Sequence, residues 1–186
     1  MTTEAPAKTS KWTADPMHSI AEFAVKHLVV ATVKGRFRDV EATLHIDEAN
    51  PENSSVEAKI AVASIDTNVE ARDADLRSDN FFSAKQFPYI TFRSTQVERL
   101  SKERFRLTGL TIRDVTKQVV LDGEYDGQID DPYGNKRAGF TATAEVSRKE
   151  FGIRWNQLIE SGGAVVGDNV KITLHIEAVR QKEEQA

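Results

Sequence analysis

The chain has 186 residues, no cysteine and a formal net charge of −4 at pH 7. This length suits one domain with a sizeable core, and the lack of cysteine excludes disulfides, thiolate catalysis and Cys-ligated metal sites. The acidic balance disfavours nucleic acid as a partner, and no apolar run reaches the ~20 residues of a membrane span. Because the first ten residues, MTTEAPAKTS, lack the apolar core of a signal peptide, we expect a cytoplasmic protein.

The first third of the chain has the pattern of β-strands. Residues 1–10 show no periodicity and are predicted to be a disordered tail. Apolar and polar residues alternate over residues 19–27, 36–47 and 55–63, which predicts three half-buried strands. Residues 28–33 form a short apolar run with turn or helix potential, and Gly35 and the out-of-phase Phe37 suggest a bend or bulge.

Residues 64–92 are the only long interruption of the strand pattern. Residues 69–78 favour a helix, with acidic side chains early and arginines late, and with Thr67 or Asn68 as the N-cap. Three phenylalanines and a helix-ending proline follow: Phe81, Phe82, Phe87 and Pro88. We interpret this stretch as a short helix whose phenylalanines form a plug or lid on a β-protein.

The second half of the chain returns to strands. Residues 89–100 and 104–110 are predicted to form one hairpin, and residues 116–128 and 136–147 a second. Residues 170–179 give the clearest alternation of all. About eight strands with short turns predict an all-β, closed antiparallel barrel with a short helical insertion, wide enough for one small ligand. An immunoglobulin-like sandwich is the alternative.

The sequence predicts neither a catalytic pair nor a metal site. The four histidines, His18, His27, His45 and His175, lack the spacing of metal ligands. No serine lies in a nucleophile motif. His27 shares a strand face with Phe23 and Val25, so we interpret it as a core histidine or as a single polar contact to a ligand head group. Arg72 and Asp73 are assigned to helix capping and ion pairing, or to closing the barrel mouth.

Four segments together resemble the YceI-like family, lipocalin-like proteins that bind polyisoprenoid and related lipids. The central segment matches S-I-D-T-N-x-x-x-R-D-x-D-L-R-S-x-x-F-F followed by F-P-x-I-x-F. The others are D-P-M-H-S, L-T-I-R-D-V-T-K and R-K-E-F-G-I-R-W, and the match covers roughly residues 12–179 in the family's order. Two residues depart from the pattern: Asp114 stands where a glycine is usual and Gln118 where a proline is common. Because aspartate tolerates a left-handed backbone, we expect the turn at Asp114 to survive.

The resemblance implies one lipocalin-like domain over residues 11–180, followed by a polar tail at residues 181–186. It implies binding, storage or transport of a long isoprenoid lipid, an isoprenoid quinone or a fatty amide, without catalysis or another cofactor. It also implies a possible homodimer and allows for exported relatives. The residues expected to bind the ligand are Phe23, Val25, His27, Phe37, Ile65, Arg72, Leu76, Phe81, Phe82, Phe92, Phe140, Phe151 and Trp155.

Two other functions remain open from the sequence. One is an enzyme that acts on a small amphiphile through His27 and an acidic partner. The other is a stress-related structural protein whose barrel is filled by its own side chains.

Overall fold

In a computed structural model that describes residues 9–160 and 162–182, the chain folds into one antiparallel β-sheet with one short α-helix. The strands, β1 to β14, are Thr9–Ala14, Ile20–His27, Ala31–Phe37, Val40–Asp47, Ser55–Ala61, Ile65–Asp66, Tyr89–Arg93, Gln96–Arg99, Arg104–Thr108, Thr111–Ile112, Val115–Thr116, Val120–Asp130, Lys136–Ser147 and Val166–Arg180. Helix α1 is Glu70–Arg77, and the 3-10 helices are Pro51–Asn53, Val62–Ser64 and Arg148–Phe151. The all-β fold with a short helical insertion is therefore confirmed.

The long strand β14 organises the sheet. It pairs with β13 on one side and with both β1 and β2 on the other. The main path through the sheet is β11-β10-β7-β5-β4-β1-β14-β13-β12-β9-β8, and β2, β3 and β6 branch from β14. Register shifts interrupt β12 near Tyr125 and β14 between Val166 and Val170. Such bulges increase strand twist, and the sheet curls into a half-barrel.

The ladder pairs of the described strands form an open path, so they do not by themselves show a closed ring of eight strands. The predicted strand of residues 89–100 is divided into β7 and β8. These two strands are separated only by Ser94 and Thr95 and pair with different partners, β5 and β9. The antiparallel, curled character of the predicted barrel is established by these pairs.

The inner face of the sheet carries two clusters of buried apolar side chains. One lies beside α1 and includes Phe37, Phe81 and Phe151; we call this region the helix end. The other includes Trp12, Leu44 and Ala138; we call it the rim end. Strand β4 runs from the helix end to the rim end, and β14 does the same, so the two clusters are the two ends of one curled sheet.

The predicted single strand over residues 36–47 is wrong. β3 ends at Phe37 and pairs with β2, whereas β4 begins at Val40 and pairs with β1 and β5. Gly35 lies in regular register opposite Phe23 rather than in a bulge. A Cβ on Gly35 would lie 2.4 Å from Cζ of Phe23, so this glycine makes room for an aromatic ring.

The predicted cap of α1 is also wrong. Val69 is the N-cap residue and has no capping side chain. Instead Asp73, on the buried side of the helix, accepts hydrogen bonds from the Thr67 backbone N–H at 2.9 Å and from its hydroxyl at 2.6 Å. A loop side chain was expected to cap the helix. Instead the Asp73 carboxylate of the first helical turn fixes the loop that precedes it.

The ends of the domain differ from the expected boundaries by a few residues. Thr9 and Ser10 belong to β1, so the predicted tail over residues 1–10 extends two residues too far towards the C-terminus. Residues 1–8 and 183–186, where the remainder of the two predicted tails falls, lie outside the described residues.

Candidate functional site

A cavity of about 630 Å³ extends along the inner face of the sheet from the helix end to the rim end. Inward-facing residues of alternating strands form its wall, since alternate side chains of a strand point to the same face. Typical wall residues are Leu44, Ile60, Phe92, Ile172 and Leu174. The wall is mostly apolar, and its charged members are concentrated at the rim end.

The helix end of the cavity is lined by aromatic rings in contact with each other. The Phe37 ring lies 5.7 Å from that of Phe23 and 5.7 Å from that of Phe82, the latter edge to face. The Phe81 ring lies 5.3 Å from that of Trp155. Such pairs add stability beyond the area they bury. Phe81 is only 6% exposed, so its ring belongs to the packed core around this end of the cavity.

Backbone hydrogen bonds attach the two adjacent phenylalanines to the helix. The Phe81 N–H donates to the Ser78 carbonyl at 3.1 Å, and the Phe82 N–H donates to the Leu76 carbonyl at 3.0 Å. Leu76 itself lines the cavity. The helix and the phenylalanine pair therefore form one unit at this end of the cavity.

Arg148 is a buried cation beside the helix end of the cavity. Its guanidinium donates hydrogen bonds to the carbonyls of Ile153, Trp155, Val166 and Gly167, at 2.8 to 3.2 Å. Burial lowers the pKa of this guanidinium, and the nearby Asp168 carboxylate opposes that shift. The planar guanidinium thus joins the loop after the third 3-10 helix to the start of β14.

The rim end combines a sparser apolar wall with a border of charged and polar groups. The rings of Tyr125 and Phe140 lie 5.6 Å apart, and the Trp12 indole N–H donates to the Ser10 hydroxyl at 2.8 Å. The polar residues that border the cavity here are Asp47, Glu48, Ser54, Arg99, Lys102, Glu124 and Gln128. Burial raises the pKa of the Tyr125 hydroxyl, and the Glu48 carboxylate adds to this effect.

An ion-pair network lies next to the rim end. Arg137 bonds to Asp15 at 2.7 Å, to Asp131 at 2.8 Å and to Glu177 at 2.5 Å. Asp15, Glu177 and the exposed His18 are also the one group of possible metal ligands within the described part of the chain. Because a guanidinium already bonds both carboxylates, we interpret this cluster as structural.

Most of the expected ligand-binding residues line the cavity. These are Phe23, Val25, Phe37, Leu76, Phe81, Phe82, Phe92 and Phe140. A contact of these residues with a ligand stays a prediction.

The other five expected residues lie outside the cavity wall. Phe151 and Ile65 are each 1% exposed and belong to the surrounding core, and Trp155 packs behind Phe81. Arg72 donates to the hydroxyl and the carbonyl of Thr67, at 2.8 and 3.0 Å, so it fixes the helix rather than the cavity mouth. His27 is half-buried at the end of β2.

The cavity also has wall residues that were not expected to bind a ligand. Strand alternation already placed Leu44, Ile46, Val56 and Ile60 on inward faces, so that signal was available in the sequence. The charged residues that border the rim end show no comparable alternation in the sequence. The border forms because the 3-10 helix Pro51–Asn53 packs beside β8, a contact between segments distant in sequence.

Comparison with known proteins identifies the family. A model of the YceI-like domain matches residues 12–178. The chain belongs to the YceI-like family. The YceI protein of Salmonella newport is 36% identical over 181 residues, which cover 97% of this chain and 92% of that protein.

Solved structures agree with the YceI-like assignment. The Campylobacter jejuni YceI protein matches with a TM-score of 0.71 and 30% identity, over 84% of this chain and 90% of that one. A polyisoprenoid-binding domain from Saccharophagus degradans matches with a TM-score of 0.66 over 91% and 98% of the two chains. At 12% identity the latter shows a shared fold alone.

No helix within residues 9–160 and 162–182 of this YceI-like domain is long and apolar enough to cross a membrane.

Proposed function

We propose that this YceI-like domain binds one long, apolar lipid in the cavity between its helix end and its rim end. The observation that carries the proposal is the cavity itself, with a volume of about 630 Å³ and a largely apolar wall. Pockets for small ligands typically measure ~300–1,000 Å³ and combine apolar walls with a few polar groups. This cavity has that composition.

The proposed ligand is a polyisoprenoid, an isoprenoid quinone or a fatty amide. The Saccharophagus degradans neighbour is named as a polyisoprenoid-binding domain, and a cavity lined by residues of both the helix end and the rim end suits a chain. Burying about 15 methylene equivalents at about 0.8 kcal/mol each gives about 12 kcal/mol. Immobilisation of the lipid offsets a large part of this gain, so micromolar to nanomolar affinity needs neither a charged site nor a cofactor.

The two ends of the cavity suggest the orientation of the lipid. At the helix end the wall residues are Phe23, Phe37 and Phe82, which favour the apolar terminus of a chain. At the rim end Arg99, Lys102 and Gln128 offer polar partners to a head group. We therefore propose that the head group lies at the rim end and that the lipid enters there.

A closed barrel around the lipid is part of the proposal. Where β7 passes into β8, the Ser94 N–H donates to the Val56 carbonyl in β5 at 2.9 Å. The Thr95 N–H donates to the Thr108 carbonyl in β9 at 2.8 Å. Backbone hydrogen bonds on both sides of this two-residue link support a continuous wall, with β7 and β8 acting as one strand.

Because the proposed function is binding without catalysis, we propose that the protein stores or transports its lipid. We also propose that it forms a homodimer. The direct test is native mass spectrometry of protein purified from its own host. A co-purified apolar lipid of defined mass is expected, and protein that always appears lipid-free would contradict the proposal.

A pair of substitutions on one strand tests where the lipid binds. Ala142 lines the cavity and the adjacent Thr143 faces outward. Ala142→Phe fills the cavity and is expected to weaken binding of a fluorescent polyprenyl analogue by about tenfold or more, since each lost methylene contact costs about 0.8 kcal/mol. Thr143→Phe is the matched control and should bind as the unsubstituted protein does. Equal affinity of both variants would place the lipid elsewhere.

A further inference from the structure

The turn between β2 and β3 and the loop before β14 expose apolar side chains at the helix end. Val29 is 66% exposed, Val30 86% and Leu158 83%, and Leu28 is also exposed. We call these four residues the apolar tip. Single exposed apolar residues are normal on a protein surface, but a contiguous group signals an interaction site.

The two loops that form the apolar tip are in direct contact. The Leu28 N–H donates to the Val165 carbonyl at 3.0 Å. A Cβ on Gly163 would lie 3.4 Å from Cγ2 of Val29. The isolated bridge between Leu158 and Ala164 closes the second loop. The β2–β3 turn and the loop before β14 therefore lie side by side at the base of the tip.

The tight β2–β3 turn places unusual side chains at positions of left-handed backbone. Leu28 and Val29 have positive φ values of 48° and 65°. Asparagine, aspartate and glycine tolerate this region best, and a β-branched valine is among the least suited residues. Such strain recurs at functional positions. Here it coincides with the exposure of the same side chains.

The hairpin behind the tip carries positive charge. From residue 23 to residue 38 the chain contains Lys26, Lys34, Arg36 and Arg38 and no acidic residue, although the protein as a whole has a net charge of −4. Arg36 and Arg38 pair with Asp66. Lys26 and Lys34 are exposed and make no ion pair with any residue in the described part of the chain.

The two lysines lie close to the tip. Lys26 is opposite Thr32, one residue pair before the turn, and Lys34 is opposite Ala24. Both project from the outer face of the β2–β3 hairpin, since Phe23 and Val25 on the alternate positions line the cavity. An apolar tip with cations directly behind it is the pattern of segments that insert into an anionic membrane surface.

We propose that the apolar tip docks the protein on a lipid bilayer that contains anionic lipids. Leu28, Val29, Val30 and Leu158 enter the boundary between head groups and acyl chains. Lys26 and Lys34 then face the anionic head groups. This docking surface is separate from the cavity and does not depend on what the cavity binds.

A second copy of the chain is a less favourable occupant of the tip. Four exposed side chains offer far less than the ~800 Å² per partner that a stable protein interface usually buries. A symmetric contact would also bring Lys26 and Lys34 towards their own copies, which like-charge repulsion opposes.

Vesicle flotation of the whole chain tests the proposal. Vesicles of phosphatidylglycerol and phosphatidylcholine in equal parts are expected to carry the protein, and vesicles of phosphatidylcholine alone to carry much less. The triple variant Leu28→Asn, Val29→Gly, Val30→Ser should lose about a hundredfold or more in partitioning, because each buried Val or Leu contributes about a factor of ten. Asparagine at position 28 and glycine at position 29 suit the positive φ of these two residues, so the melting temperature should stay equal or rise.

Matched controls separate the tip from general stickiness. Met17→Ser with Tyr133→Ser removes two equally exposed apolar residues outside the tip and should leave flotation unchanged. Lys26→Gln with Lys34→Gln should weaken binding to the anionic vesicles by about fivefold per lysine. Lys117→Gln with Lys182→Gln, which changes two exposed lysines elsewhere in the described chain, should have a smaller effect.

Three outcomes would overturn the proposal. They are failure of the unsubstituted protein to float with anionic vesicles, flotation of the triple variant at the unsubstituted level, and a change of sedimentation coefficient in the triple variant. The last would identify the tip as a contact between copies. Because flotation is measured on lipid-free protein, a failure here is distinct from a failure to bind a polyprenyl analogue in the cavity.

Discussion

The helix end and the rim end of the cavity are built from similar aromatic residues but packed in opposite ways. At the helix end Phe23, Phe37 and Phe82 contact one another in a chain of rings. At the rim end Tyr125 and Phe140 form one pair beside a border of charged groups. Packed rings stabilise the fold, whereas the charged border marks the end at which we propose that a ligand enters. The two ends of the same curled sheet therefore differ in how their aromatic side chains are packed.

This comparison changes the role of the phenylalanine segment. The sequence favoured Phe81 and Phe82 as a lid that closes a lipid tunnel. In the structure Phe81 is buried against Trp155 and Phe82 contacts Phe37, at the helix end of the cavity. We therefore expect these residues to contribute mainly to stability, and we place the entrance at the opposite end.

Removal of one phenylalanine ring from each end of the cavity tests that difference directly. Phe81→Ala should lower the free energy of unfolding by about 3–5 kcal/mol, the usual cost of removing a fully buried phenylalanine. Phe140→Ala at the rim end should cost clearly less, because the Phe140 ring is half-buried and already faces the cavity. Urea denaturation of the two variants, each free of lipid, measures both values.

The opposite ranking of the two variants would contradict the roles assigned to the helix end and the rim end. A Phe81→Ala variant that keeps its stability and loses affinity for a polyprenyl analogue would restore the lid. A domain has only about 5–15 kcal/mol of stability, so a mild temperature is needed to keep Phe81→Ala folded during the titration.

The second prediction concerns the buried cation of the helix end. Arg148→Lys should lower the free energy of unfolding by about 3 kcal/mol, because an ammonium cannot replace a guanidinium bonded to four carbonyls and the unpaired groups stay buried. Arg154→Lys, an exposed arginine six residues later, is the matched control and should be neutral. Equal stability of the two variants would show that the carbonyl contacts of Arg148 are dispensable.

The sequence predicts the strands of this molecule better than its site. Strand alternation and the hairpin turns predict β12, β13 and β14 nearly in place, because period two follows directly from strand geometry. The bend or bulge predicted near Gly35 is wrong, because a glycine can make room for a neighbouring side chain as well as form a turn. Here the space above Gly35 holds the Phe23 ring, a contact between strands that no local pattern contains.

The limits at the site have the same origin. Asp114 was expected to take the left-handed conformation at the turn between β10 and β11, but the residue with positive φ there is Arg113, at 57°. Its guanidinium donates to the Gly152 carbonyl at 2.8 Å, a long-range bond that accompanies this backbone. The border of the rim end likewise arises from segments distant in sequence. The side chains of a strand that face inward can be predicted from its alternation. The residues that meet at the end of a cavity depend on tertiary packing.

The ion-pair network around Arg137 at the rim end should make the stability of the fold weakly dependent on pH. The hydrogen bond from Arg137 is the main cause that lowers the pKa of Asp15 from 3.8 to about 2, and Arg137 also holds the pKa of Asp131 far below its usual range. Depressed carboxylate pKa values stabilise the folded state above the unfolded pKa, and this contribution is lost as pH falls towards the folded value. The free energy of unfolding should therefore decline from about pH 4 to about pH 2. Arg137→Gln should remove part of that decline and should lower the free energy of unfolding at neutral pH. Arg104→Gln, an exposed arginine with no ion pair in the described chain, should keep the full decline. Denaturation midpoints measured across this pH range test the prediction. An unchanged acid profile in Arg137→Gln would mean that solvent screens the ion-pair network. The rim end would then owe its stability to the buried cluster around Trp12 alone.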